Sequence, residues 1–259
     1  MDFDVAIIGG GSAGYSAAST AKSLGARVAI IDHGPLGGLC ILRGCMPTKA
    51  ILRSSDILSL MNRAEEFGLK AIDPHARLSA VNDRKNKLIK EFADYRVGQI
   101  KDYRFTLIQE RAEFISPHEI RVGTKTLTAK SFILATGSVI ADCLIPGLQE
   151  TGFITSDDVL EMREQPESII VLGAGAVAVE LAQFFLRIGV KVDLIQRSSH
   201  ILSSGDEDLA RPVEERFREE GMGLYTGTRI IKAEKVGGQR KLFFEHKGEE
   251  KIVSAELIL

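Results

Sequence analysis

The residues in this sequence best suited to chemistry are two cysteines. Cys40 and Cys45 lie in the segment Gly37-Gly38-Leu39-Cys40-Ile41-Leu42-Arg43-Gly44-Cys45-Met46-Pro47-Thr48-Lys49. On a regular helix, residues five apart are separated by ~7.5 Å of rise, whereas a disulfide wants α-carbons within ~7 Å. Gly44 and Pro47 allow an irregular start that closes this gap. By itself the pair is compatible with half a zinc site, an inert pair or a redox pair. Zinc would need two further ligands. Cys143 and His33 are the candidates, but no second spaced pair exists, so no metal is expected.

Two glycine fingerprints accompany the cysteines. Gly9, Gly11 and Gly14 sit between an apolar run and a helical stretch. In such a turn the first glycine permits the bend, the second lets a pyrophosphate approach the backbone, and the third lets helix and strand pack closely. The helix N-terminus adds N–H donors and a partial positive charge. Asp32 ends the next strand, where its carboxylate can bond a ribose hydroxyl, so this site is expected to bind a dinucleotide. The second fingerprint is Gly173-x-Gly175, with Ala178 at the third position. Its following strand ends at Gln196 and Arg197 rather than at an acid. A guanidinium there can pair with a 2′-phosphate, so the coenzyme preference is expected to lean slightly to NADPH, provided that Arg197 lies past the strand end.

The elements that must position these residues form two β-α-β units. The first has a strand at Phe3–Ile8, a helix to about Leu24 stopped by Gly25, and a strand at Val28–Ile31. The second has a strand at Ile169–Leu172, a helix from Val177 to Ile188 ended by Gly189, and a strand at Val192–Ile195. Between them the pattern predicts helices from Pro47 to about Glu66 and from Arg77 to about Tyr103. Short strand pieces follow over Thr106–Leu134, ending at Ala135-Thr136-Gly137-Ser138. The run Ser254–Leu259 reads as one apolar strand with no cap after it, which suggests the front part of a longer protein. The fold class expected is α/β, with two Rossmann-like nucleotide-binding domains at 1–148 and 149–259, the latter incomplete at its C-terminal end.

Composition sets the surroundings. The chain has 259 residues, 44% hydrophobic and 26% charged, with a net charge of −2. No basic excess points to nucleic acid or an anionic membrane. No apolar run approaches the roughly 20 residues of a membrane span. Three cysteines are too few for a secreted disulfide framework, so the expected setting is a reducing cytoplasm.

Two nucleotide fingerprints flanking a Gly-Gly-x-Cys-x3-Gly-Cys-x-Pro-Thr-Lys segment resemble the class I pyridine nucleotide-disulfide oxidoreductases, over the whole chain. The resemblance implies FAD at Gly9, Gly11, Gly14, Asp32 and Gly38, and NAD(P) at Gly173, Gly175 and Arg197. It implies that Cys40 attacks a disulfide substrate and that Cys45 lies against the flavin. Lys49 would sit near flavin N5, paired with Glu180 across the two domains. Ala135, Thr136 and Gly137 match the motif where the chain leaves the FAD domain. The sequence departs from the family at Leu39, usually Thr, at Asp32, usually Glu, and at Ala176, usually a bulkier gate over the nicotinamide. The implied activity is dihydrolipoyl dehydrogenase-like, with a small-molecule or protein-bound disulfide as substrate. The alternatives are a mercuric-reductase-like metal-ion reductase and a non-catalytic nucleotide-bound redox module. The family's C-terminal dimerisation domain, which carries a His-Glu pair, is absent from this sequence, so a homodimer is expected only of a full-length protein.

Overall fold

The structure is a computed structural model that describes residues 1–101 and 104–259. It divides into two compact units: residues 1–47 with 86–139, and residues 48–85 with 140–259. The units therefore do not separate at one point in the chain, as a 148/149 boundary would have them do. The helices Cys45–Asn62 and Leu78–Ile100 each begin in one unit and continue into the other.

The first unit is built on a six-stranded sheet in the order Thr106–Ile108, Val28–Ile31, Phe3–Ile8, Lys125–Leu134, Glu119–Val122, Ala112–Ser116. Its first four strands are parallel and the last two antiparallel. Side chains alternate between faces along a strand, and the apolar runs feed both. Ala6, Ala29 and Ile31 pack on one side with Ile120 and Ala129. Ile7, Val28 and Ile30 pack on the other with Ala18, Ile100 and Phe105. Such two-sided burial is why Val28–Ile31 is apolar at every position.

The second unit holds a parallel sheet in the order Leu257–Ile258, Ser168–Leu172, Lys191–Ile195, Gly223–Tyr225. The chain order 4-1-2-3 across it is that of a Rossmann half-sheet. Ile169, Val171, Val192 and Leu194 face the helix Ala176–Arg187, whose Leu181, Phe184 and Phe185 are fully buried. Ile170, Ile195 and Ile258 face Leu242, Phe244 and Val253, from an antiparallel sheet of Thr228–Val236, Gln239–His246 and Glu249–Ala255. That antiparallel sheet is absent from the sequence reading, as is the helix Glu207–Glu219.

The other expected elements appear with small shifts. The helix expected from Pro47 begins at Cys45, so Pro47 lies inside its first turn, where its missing N–H costs no bond. That helix ends at Asn62, and a 3-10 turn follows at Ala64–Phe67. The helix expected from Arg77 spans Leu78–Ile100, and the part of that expectation on Asp102 and Tyr103 lies outside the described residues. Ser254–Leu259 is not one strand. Ala255 closes the antiparallel sheet and Leu257 opens a parallel pairing with Ile169. The break is held at Glu256, whose N–H donates to Ser168 Oγ at 3.0 Å and whose carboxylate accepts the Glu167 N–H at 2.9 Å. Among the described residues no helix is long and apolar enough to cross a membrane.

Candidate functional site

The first fingerprint is built by backbone contact. Gly9 has φ +104, and a β-carbon there would lie 2.2 Å from the Ala135 carbonyl oxygen. A β-carbon on Gly14 would lie 1.8 Å from the Gly9 oxygen, and one on Gly38 2.4 Å from the Gly11 α-carbon. Only glycine permits these approaches. They draw the turn before the helix Ser12–Ser23, the end of strand Lys125–Leu134 and the start of the cysteine segment around one cavity of about 180 Å³. Gly9, Gly11, Asp32, Gly38, Ala135, Thr136 and Gly137 all line it. Gly14 does not, since it packs beneath the turn. The Asp32 carboxylate is held by two backbone donors, the Gly10 N–H at 2.6 Å on Oδ2 and the Gly34 N–H at 2.7 Å on Oδ1. Each oxygen keeps a lone pair for a hydroxyl.

The cysteine segment starts on the same wall. Leu39–Leu42 forms one short helical turn, Arg43 and Gly44 break it, and a new helix starts at Cys45. This break replaces the regular rise that would have parted the two sulfurs. Gly44 packs so closely that a β-carbon would lie 3.0 Å from the Leu39 oxygen and 3.1 Å from the Cys40 α-carbon. Cys45 thus folds back on Cys40, near enough for its sulfur to act on the Cys40 thiol, and neither cysteine is in a disulfide. Cys40 is half-buried and Cys45 exposed. Burial pushes the Cys40 thiol above its ordinary pKa, and the neighbouring Cys45 sulfur adds to the rise. The backbone N–H groups of Cys45 and Met46, at the start of the new helix, pull the other way.

In the second unit Lys49 Nζ donates to Glu180 Oε1, closing an ion pair between residues 131 apart in sequence. The pair joins the helices Cys45–Asn62 and Ala176–Arg187 within one compact unit, so it is not the bridge between domains that the resemblance implied. Gly173 has φ +88 and Gly175 caps the helix Ala176–Arg187, and a β-carbon on either would meet open space. These glycines leave room for a ligand, unlike those of the first fingerprint. Gln196 is buried, its amide donating to Ser203 Oγ at 3.3 Å and to the His200 carbonyl oxygen at 3.5 Å. Arg197 is exposed and lies past the end of strand Lys191–Ile195. Cys143 lines an apolar cavity with Phe153, Val177 and Leu181. Among the described residues no group of three or more His, Cys, Asp or Glu could hold a metal.

The profile of the family described as "Pyridine nucleotide-disulphide oxidoreductase" matches residues 3–259. The chain belongs to this family. Its fold is of the α/β Rossmann type. The mercuric reductase of Staphylococcus aureus is 35% identical over 259 residues, covering 100% of this chain and 47% of that protein. A dihydrolipoyl dehydrogenase of Thermus scotoductus is 34% identical over 240 residues, covering 90% of this chain and 50% of that protein. Among solved structures, the HOCl-induced flavoprotein disulfide reductase RclA of Escherichia coli superposes with a TM-score of 0.80 at 25% identity. That match covers 99% of this chain and 55% of RclA. The chain thus spans about half the length of the relatives it matches.

Members of the family bind FAD and take electrons from NAD(P)H. The residues here fit a dinucleotide flavin: the Gly11–Gly38 approach leaves a cradle that a β-carbon would fill, and the Asp32 carboxylate lines it. His33, Arg43, Glu110 and Ser138 also line the cavity, and sequence reasoning singled out none of them for it. Arg43 carried the one available signal, as the sole charged residue between the two cysteines.

Proposed function

We propose that the protein carrying this chain uses NAD(P)H and FAD to reduce a Cys40–Cys45 disulfide and passes the electrons to a disulfide substrate, in the manner of a dihydrolipoyl dehydrogenase. The observation that carries this reading is the break at Arg43 and Gly44 that folds Cys45 back on Cys40, made on the segment that also walls the dinucleotide cavity. When bound, FAD supplies the two-electron link between coenzyme and sulfur. The turn at Gly9 and Gly11 offers backbone N–H groups and the helix dipole to phosphates, and Asp32 accepts from a ribose hydroxyl. Gly173 and Gly175 leave open backbone for the coenzyme, and Arg197 reads its ribose end. Lys49 lies on the helix that Cys45 starts, and the family resemblance would place it near flavin N5. Glu180 fixes the lysine in place. In the dithiol state the Cys40 thiolate attacks the substrate disulfide, and Cys45 then displaces the mixed disulfide and restores the pair. Because the Cys40 thiol sits above its ordinary range, this attack needs a base to take its proton.

A second reading, a metal-ion reductase, draws support from the mercuric reductase that is 35% identical along the whole chain. One experiment separates them. The oxidised holoprotein is reduced anaerobically with NADPH or NADH, and its thiols are counted with DTNB. A gain of two thiols, lost in Cys40→Ser, is expected. Addition of lipoamide, glutathione disulfide or Hg(II) then identifies the acceptor by the rate of coenzyme oxidation. If the coenzyme adds no thiols, the electron path through the pair is wrong and a redox module without turnover remains.

A further inference from the structure

Two ion pairs join the helices Cys45–Asn62 and Ala176–Arg187. Lys49 pairs with Glu180, and Asp56 Oδ1 accepts from Arg187 Nη1 at 2.6 Å. In both pairs the partners are 131 residues apart. The two helices therefore run in the same direction and keep one register over two turns, ~10.5 Å of rise. The polarity reverses between the pairs: the cation lies on the first helix at Lys49 and on the second at Arg187. Sliding one helix by two turns would set Lys49 against Arg187, or Asp56 against Glu180, and like charges repel. The apolar core that both helices enter, with Ile51, Leu52 and Leu58 from one and Val179 and Phe184 from the other, buries area without fixing an axial position. We propose that Arg187, clamped between Asp56 and Glu220, is the positioning residue that sets this register and so brings Lys49 to Glu180.

Arg187 ends its helix, and one guanidinium serves two others. While Nη1 reaches Asp56, Nε and Nη2 donate to Glu220 at 3.1 and 2.9 Å. Glu220 caps the helix Glu207–Glu219 and also accepts from Arg216 Nε at 2.8 Å. Three helices are thus tied at one point. The Arg187 and Glu220 side chains are 19% and 12% exposed, whereas that of Lys49 is 58% exposed. An exposed pair of long side chains holds its partners weakly, so the Lys49–Glu180 pair does not set the register alone. A forked guanidinium–carboxylate pair adds geometric specificity to its charge. Burial would raise the Glu220 carboxyl, yet its bonds to Arg187 and Arg216 hold it below its ordinary range, which keeps the clamp charged. Cys45 starts the first helix, so a slip that parted Lys49 from Glu180 would carry Cys45 along the axis as well.

This inference deepens the proposed function, on which its effect on electron transfer rests, and its test keeps the two apart. The coupling between Lys49 and Glu180 is measured in the holoprotein by a double-mutant cycle of Lys49→Met and Glu180→Gln. The cycle is run in the wild-type, Arg187→Ala, Arg187→Lys and Asp56→Asn backgrounds. It is read twice, as the rate of flavin reduction by NADPH or NADH and as stability in urea. In wild type a coupling of about threefold is expected. In Arg187→Ala and Asp56→Asn it should fall close to none. Arg187→Lys keeps the charge and loses the fork, so it should retain part of the coupling. Asp56 is 45% exposed, so Asp56→Asn carries the test if Arg187→Ala does not fold. Lower stability of the clamp variants with the Lys49–Glu180 coupling unchanged makes Arg187 a structural tie and overturns the proposal. Absence of coupling in wild type overturns it too. If neither coenzyme reduces the flavin, the proposed function fails, and the cycle read in urea still decides whether Arg187 sets the register.

Discussion

The Cys40 thiol is pulled in opposite directions by its surroundings. Burial and the Cys45 sulfur disfavour its thiolate, while two backbone N–H groups at a helix start favour it. The first effects win, so the Cys40 thiol lies above its ordinary pKa. In the reduced protein, alkylation of Cys40 by iodoacetamide should therefore rise with a midpoint above that of a free thiol. Cys45→Ala removes the neighbouring sulfur that raises the Cys40 thiol and leaves the backbone donors in place, so the midpoint should move down, short of the free-thiol value because the burial remains. An unchanged midpoint, read by peptide mass spectrometry across pH, would show that burial alone sets the thiol, and a higher one that the Cys45 sulfur favours the thiolate.

At the scale of elements, the two fingerprints look alike in sequence and differ in what their glycines do. Gly14 is required by the fold, because a β-carbon there would lie 1.8 Å from the Gly9 oxygen. The equivalent Ala178 is tolerated and packs against the unit's core. Gly14→Ala should therefore cost ~3 kcal/mol through forced backbone displacement. Ala178→Gly should cost only about 0.5–1 kcal/mol, the helix preference of alanine over glycine. Urea denaturation of both variants checks this, and equal losses would contradict the geometry. The same contrast explains what was legible in the sequence. The first β-α-β unit was readable to within a residue because its constraints are local: a buried run, three glycines and an acid. The contact of Cys40 with Cys45 was less so, since it depends on the break at Arg43 and Gly44, which spacing alone does not disclose. The Lys49–Glu180 pair joins residues 131 apart, and nothing local marks either one, so only the family resemblance linked them. The strands from Thr228 to Ala255 went unread because their alternation is interrupted by charges such as Lys232, Glu234 and Lys241 on half-exposed positions.

The whole molecule is expected to carry two nucleotide sites, one on each compact unit, and this assignment can be tested without turnover. A ligand that binds only the native state stabilises it by an amount set by its concentration relative to its Kd, about 2.7 kcal/mol at a hundredfold excess. FAD and NADPH should each raise the melting temperature of the stripped protein, and mutations should remove the shifts selectively. Gly38→Ala drives a β-carbon to 2.4 Å from the Gly11 α-carbon, so it should abolish the FAD shift and leave that of NADPH. Arg197→Ala lies past the strand end in the other unit, so it should leave the FAD shift untouched. If Arg197 reads a 2′-phosphate, its loss should shrink the NADPH shift more than the NADH shift, because only NADPH carries the charge that a guanidinium pairs with. Equal loss for the two coenzymes would mean that Arg197 does not read the phosphate. Loss of the FAD shift in Arg197→Ala would mean that the two sites do not lie on separate units.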